Sequence, residues 1–155
     1  MLEELGGSFH LKYSLLALML LELIYMGEKQ VPSRQPANQM RDANERIVEQ
    51  FFGKLEQQFP IEDSTQRLEL IEPRDFARQL NIHVNHLNRA IKETTGKTTT
   101  ELIAERIVTE AKSLLKHTRW NIAEISYCLG FEESAHFNNF FKKQTQFTPT
   151  TFRSL

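Results

Sequence analysis

Cysteine is nearly absent from this chain. Its 155 residues hold one, Cys128. One thiol builds no internal disulfide and no cysteine-rich zinc site, so a reduced compartment is expected. A long apolar run is missing too. The greasiest stretch, LLALMLLELIYM from Leu15 to Met26, is 12 residues long and carries Glu22. A spanning helix needs roughly 20 apolar residues, so no membrane span is expected. No basic segment precedes an apolar stretch with a small-residue cleavage site, so no signal peptide is read. Period-two alternation of β-branched residues is not sustained anywhere, which leaves no convincing strand. No Ser/His/Asp, Cys/His or glycine-rich phosphate constellation stands in a recognisable context, so the sequence does not read as an enzyme. No cofactor and no metal is expected.

Charge is plentiful but unevenly placed. The net charge is −1. Residues 1–72 hold seven Lys and Arg against twelve Asp and Glu, and residues 73–155 hold twelve against eight. A near-neutral total therefore hides a C-terminal half of net +4, which suits a polyanion.

Helical periodicity organises the chain. Ser8 to Met26 reads as a helix capped by Ser8 and closed by Gly27. Its apolar residues run nearly all round, so it must be buried on several sides. The stretch KQVPSRQPANQ, with two prolines, reads as a linker. A second helix is expected from about Ala37 to Gln58, stopped by Pro60, with Ile61 to Glu72 as a connector. The domains expected are 1–59, a helical dimerisation or sensor-tail region; 60–72, a connector; and 73–155, the functional domain.

An internal repeat dominates that last domain. DFARQLNI (Asp75–Ile82) aligns with EISYCLGF (Glu124–Phe131) at an offset of 49. Each copy runs apolar, small, then apolar three on, and ends in a residue tolerant of the left-handed conformation. That is the first helix and turn of a helix-turn-helix. Past the turn the offset becomes 50, and LNRAIK (Leu87–Lys92) meets FNNFFK (Phe137–Lys142). Leu87, Ala90 and Ile91, and likewise Phe137, Phe140 and Phe141, form one buried stripe per copy. The expected core is Ala77, Leu80, Leu87 and Ile91 in the first unit and Ile125, Leu129, Phe137 and Phe141 in the second. Between the copies Thr98–Lys116 reads as a rod of about 28 Å. Such a rod could hold two reading heads on successive major-groove segments, one DNA turn being about 34–36 Å. The fold expected is all-α: two helix-turn-helix units joined by a long linker helix, preceded by an N-terminal helical segment.

With the stripes inside, Asn85, Asn88, Arg89 and Lys92 face outward in the first copy. Ser134, His136, Asn138, Asn139, Lys142 and Lys143 do so in the second. Asparagine pairs with adenine and arginine with guanine, while lysine near a helix end suits phosphate. The first turn of each second helix also offers N–H groups to a phosphate.

These residues resemble the DNA-binding domain of AraC/XylS-type transcription regulators over Pro73–Arg153. The second motif stands as Ile122, Ile125, Gly130 and Phe131, then Phe137, Phe141, Lys142 and Lys143, then Thr148, Pro149, Phe152 and Arg153. The first stands as Leu80, Leu87, Arg89, Lys92, Glu93, Thr95 and Gly96. The resemblance implies a sequence-specific regulator reading two adjacent major-groove segments of double-stranded DNA. It places base contacts at Asn85, Asn88, Arg89, Ser134, Ala135, His136, Asn138 and Asn139. Phosphate contacts are expected at Lys92, Asn121, Lys142 and Lys143. Three positions depart from the family pattern. Ser126 replaces an alanine, Gln146 a turn glycine, and Asn139 an arginine, which makes the first unit the stronger expected base reader. A homodimer through residues 8–27 is expected, with RNA polymerase a candidate partner of the acidic face Glu45, Glu49 and Glu56. An effector is expected only through a sensor domain that these residues do not contain, and the setting expected is the bacterial cytoplasm and nucleoid. The competing reading is a protein-interaction module that uses residues 1–59 and binds DNA poorly.

Other residues carry bland readings beside sharper ones. His83 and His86 could be metal ligands at i, i+3, but two histidines make a poor site. Cys128 reads as a small core residue rather than a nucleophile. Trp120, before the expected cap Asn121, reads as core or staple rather than as a stacking platform.

Overall fold

The computed structural model describes residues 36–155, with side chains from residue 40. The expected helix over 8–26 and the dimer segment 8–27 lie outside the described residues. Seven helices follow, and no strand occurs among the described residues: α1 (Pro36–Glu56), α2 (Pro73–Gln79), α3 (Val84–Thr95), α4 (Thr99–His117), α5 (Ile122–Cys128), α6 (Ser134–Thr145) and α7 (Pro149–Ser154). None of the described helices is long and apolar enough to cross a membrane. Residues 41–155 form one compact unit.

Local chemistry sets these boundaries. Proline at the first position of α1, α2 and α7 loses no helical hydrogen bond, because that N–H would be unpaired anyway. The long helix α4 starts on a capping box. The Thr98 hydroxyl accepts from Glu101 N–H at 3.2 Å, and Glu101 Oε2 accepts from Thr98 N–H at 2.7 Å. Asn121 and Glu124 form the same box at α5. The rod therefore spans Thr99–His117, one residue later at both ends than the periodicity gave.

The repeat is a structural repeat. Asn81 (φ 53°) and Gly130 (φ 88°) make the two turns in the positive-φ region. Each turn closes on the small residue before it. Ile82 N–H donates to Ala77 O at 3.0 Å, and Phe131 N–H donates to Ser126 O at 3.1 Å. A second matched pair of turns ends α3 and α6, at Gly96 (φ 74°) and Gln146 (φ 68°). Thr95 and Thr145 hydroxyls both donate back to the fourth residue before them, at 2.8 Å each.

One continuous core serves both units. Phe76, Leu87, Ala90, Ile91, Ile125, Leu129, Phe137 and Phe141 are fully buried, with Ala77 nearly so. Leu80 is half-buried and packs against that core from its edge. The phenylalanine wealth of the second unit is a ring cluster. Phe131 meets Phe137 and Phe140 at 5.5 and 5.1 Å, and Phe141 meets Phe152 of α7 at 5.5 Å.

The C-terminal part of α1 and the connector belong to the same unit as the heads. Phe51 stacks edge-on against Phe76 of α2 at 4.9 Å. Arg106 of α4 holds Glu56 at 2.9 Å and the buried Glu110 at 3.0 Å, and lies 3.7 Å over the Phe59 ring. Ile61 N–H donates to Glu110 Oε1 at 2.8 Å. The connector lacks periodicity because its work is done by such single bonds.

Candidate nucleic-acid interface

In the first head the N-terminus of α3 is capped from within. His83 Nδ1 accepts from Asn85 N–H at 3.2 Å, so this histidine already has a role as an N-cap. Leu87, Ala90 and Ile91 turn inward with no exposure, while Asn85, Asn88, Arg89 and Lys92 stay exposed. Positions 85, 88, 89 and 92 follow i, i+3, i+4 and i+7 spacing, which puts them on one face. Two of them already have partners. Asn88 Oδ1 accepts from the Thr99 hydroxyl at 2.7 Å. Lys92 Nζ donates to Gly96 O at 2.7 Å, closing the helix end. Behind the head, Glu93 accepts from Asn44 of α1 at 2.7 Å.

The second head is built to the same plan with different terminal chemistry. In α6, Ala135, His136, Asn139, Lys142 and Lys143 are exposed, while Ser134 and Asn138 are half-buried. Positions 135, 138, 139 and 142 repeat the first head's face at the offset of 50. The N-cap is Glu133, whose side chain makes no cap bond. Its carboxylate lies 4.0 Å from His136 Nε2. The amide dipoles at the start of α6 therefore lack the internal cap that His83 gives α3. Asn121, expected at phosphate, is used locally. Its Oδ1 accepts from Glu124 N–H at 2.9 Å, and its own N–H donates to Glu124 Oε2 at 2.7 Å.

Several residues with chemical potential are structural. Cys128 is fully buried, its thiol donates to Ser64 O at 3.2 Å, and burial pushes the thiol's pKa up. Trp120 is half-buried against the core. Arg153 donates to Leu115 O at 3.3 Å and Trp120 O at 2.6 Å, tying α7 to the end of the rod. Lys112 and Lys116 lie 6.0 and 5.5 Å from the Phe152 ring. No cluster of three or more metal-binding side chains occurs among the described residues.

Sequence reasoning missed two contributors. Thr99 was read only as part of the rod, and its bond to Asn88 spans 11 residues across a turn, where no helical spacing points to it. The connector docks on the second head's turn. Leu68 N–H donates to Cys128 O at 2.8 Å, and Arg67 donates to Gly130 O at 3.2 Å.

Two helix-turn-helix units, a bridging helix and a polar outer face on each second helix define a double helix-turn-helix DNA-binding domain. The comparisons agree. A helix-turn-helix domain family model matches residues 76–154. The HTH-type transcriptional activator RhaS of Escherichia coli is 29% identical over 77 residues, covering 50% of this chain and 28% of that protein. Its counterpart from Salmonella arizonae is 30% identical over the same length and coverage. The matched segment is thus just over a quarter of the curated relatives' length. The C-terminal domain of AraT, a response regulator from Geobacillus stearothermophilus, shares the fold at a TM-score of 0.60 and 23% identity, covering 79% of this chain and 87% of that one. The DNA-binding domain of AdpA, solved in complex with a target DNA, does so at 0.55 and 17%, covering 70% and 89%. The chain belongs to the helix-turn-helix domain family of AraC/XylS-type transcription regulators.

Proposed function

We propose that this chain recognises duplex DNA in two adjacent major-groove segments, α3 entering one and α6 the other, and thereby regulates transcription. The observation that carries this is the matched outer face. The same helical positions turn an apolar triad inward, fully buried in the first copy and with Phe140 half-buried in the second, and leave polar side chains outside: Asn85, Asn88, Arg89 and Lys92 in one copy, Asn139, Lys142 and the half-buried Asn138 in the other. Asn85, Asn88 and Arg89 act as the principal base readers. Ser134, Ala135, His136, Asn138 and Asn139 form the second contact face, with Lys142 and Lys143 at the phosphates. Of the other two expected phosphate residues, Lys92 and Asn121 already serve helix ends, so they contact phosphate only alongside those bonds. The uncapped start of α6 supports a second head that leans more on the DNA backbone and its shape.

The test is selection from random duplexes with purified protein, read by sequencing, then a salt titration on the selected site. The expected result is a motif in two segments about 10 bp apart. In that setting Arg89→Ala should cost about 1–3 kcal/mol and relax one base position. Weak, salt-sensitive binding without enrichment would instead favour the interaction-module reading.

The partner assignments are part of the same proposal. The chain acts as a homodimer through residues 8–27, in the cytoplasm and on the nucleoid. Light scattering after deletion of residues 1–36 should then report monomers, and a persistent dimer places the interface elsewhere. RNA polymerase would meet the exposed Glu45 and Glu49, because Glu56 is taken by Arg106.

A further inference from the structure

We propose that Thr99, the first residue of the bridging helix, sets the base preference of the first head by fixing which end of the Asn88 amide faces the DNA. The inference rests on Asn88 reading a base, as proposed above. Thr99 is 2% exposed and its hydroxyl donates to Asn88 Oδ1 at 2.7 Å. Asn88 itself is exposed. The carbonyl end of its amide is therefore turned to the protein, and the NH2 end is left for a partner.

That orientation changes the code. Pairing with adenine needs both ends of the amide, the oxygen accepting from N6 and the nitrogen donating to N7. The oxygen keeps a second lone pair, but with that end turned to Thr99 the amide meets the groove with its NH2 donors. Guanine, with acceptors at both O6 and N7, is the base edge that matches. The second head has no such device. Its corresponding residues are Asn138 and Pro149, and proline has no hydroxyl to give. The two heads thus carry asparagine at the same place with different reading rules.

The experiment uses the full chain and duplexes varied one position at a time around the selected site. Asn88→Ala first identifies the position that loses its preference. At that position the parent should favour guanine, and 7-deazaguanine should weaken its binding. Thr99→Val keeps the shape and removes the donor, so the guanine-to-adenine ratio should fall about tenfold while binding to nonspecific duplex is unchanged. Thr99→Ala should shift the preference the same way if the valine variant folds poorly. Thr99→Ser, which retains the hydroxyl, should behave as the parent. An adenine preference in the parent, or a guanine preference that survives in folded Thr99→Val and Thr99→Ala, overturns the inference while leaving Asn88 a base reader. If Asn88→Ala changes no position, the base-reading role of Asn88 itself fails, and the inference fails with it.

Discussion

Gly130→Ala tests how the connector is joined to the second head. Gly130 sits at φ 88°, beyond the range an L-residue adopts comfortably. An added Cβ would lie 2.9 Å from Ile71 Cγ2 and 3.3 Å from Leu68 O. The first atom is a side-chain methyl on a connector held by backbone bonds, and the second is backbone. The Leu68 backbone is held in place by its own N–H, which donates to Cys128 O at 2.8 Å. Backbone strain costs about 1–2 kcal/mol, and overpacking adds about 1–3. Alanine recovers about 0.5–1 through the smaller entropy of its unfolded chain. The expected loss is about 2–4 kcal/mol, a large part of the roughly 5–15 kcal/mol that holds a typical domain.

Gly96→Ala is the matched control. Gly96 has φ 74° but nothing within 4 Å of an added Cβ, so only the backbone part remains, about 0.5–1 kcal/mol net. Urea unfolding of both variants of the full chain, followed by circular dichroism, reads the difference. Gly130→Ala combined with Ile71→Ala should lose less than the sum of the two single losses, by a coupling of about 1 kcal/mol. Equal destabilisation by the two glycine substitutions, with no coupling to Ile71, would refute a connector pressed against this turn.

Three further outcomes follow from local geometry. Gln146 holds φ 68° where a side chain is strained, so Gln146→Gly should be neutral to stabilising, by up to about 1 kcal/mol in urea unfolding; a clear loss would mean that its side chain packs. The Thr98 N–H and hydroxyl hold the Glu101 carboxyl below its usual range. Its stabilisation is thus complete above the ordinary carboxylate pKa and disappears as pH falls through the lowered value. Glu101→Gln keeps a capping residue without the charge, so the thermal midpoints of parent and variant should converge as pH falls from 6 towards 3; a constant gap would contradict the assignment. Lys142→Ala with Lys143→Ala should weaken all duplexes alike and reduce the salt slope by about 2; an unchanged slope would remove both lysines from the DNA backbone.

What the sequence made legible was whatever recurs. The two turns were readable because Asn81 and Gly130 fall at the same place after an apolar-small-apolar pattern, and both adopt positive φ. The triads were readable from i, i+3, i+4 spacing, and Leu87, Ile91, Phe137 and Phe141 are all fully buried. Asn121 was readable as an N-cap because Asn three residues before Glu is a capping box. The rest depends on bonds between distant residues. Arg67 and Gly130 are 63 positions apart, Ile61 and Glu110 49, and no periodicity encodes either pair. The outward residues were legible as a set, but not their partners. Nothing in the spacing says that Asn88 is held by Thr99, or that Lys92 closes its own helix.

Those distant bonds give residues 41–72 a role that their composition conceals. From one end this segment holds the first head, through Asn44 on Glu93 and Phe51 on Phe76. In its middle it grips the rod, through Glu56 on Arg106 and Ile61 on Glu110. At its far end it closes on the second head, through Ser64 and Leu68 on Cys128 and Arg67 on Gly130. Gln58, just past the end of α1, ties the connector back on itself by bonding both the N–H and the C=O of Leu70. The spacing of the two heads therefore does not rest on the rod alone. A reader of two groove segments gains affinity from its second contact only if the heads are held at the right separation. A brace that touches both heads and the rod stiffens that separation, so damage to it should lower affinity for a two-segment site more than for a single segment.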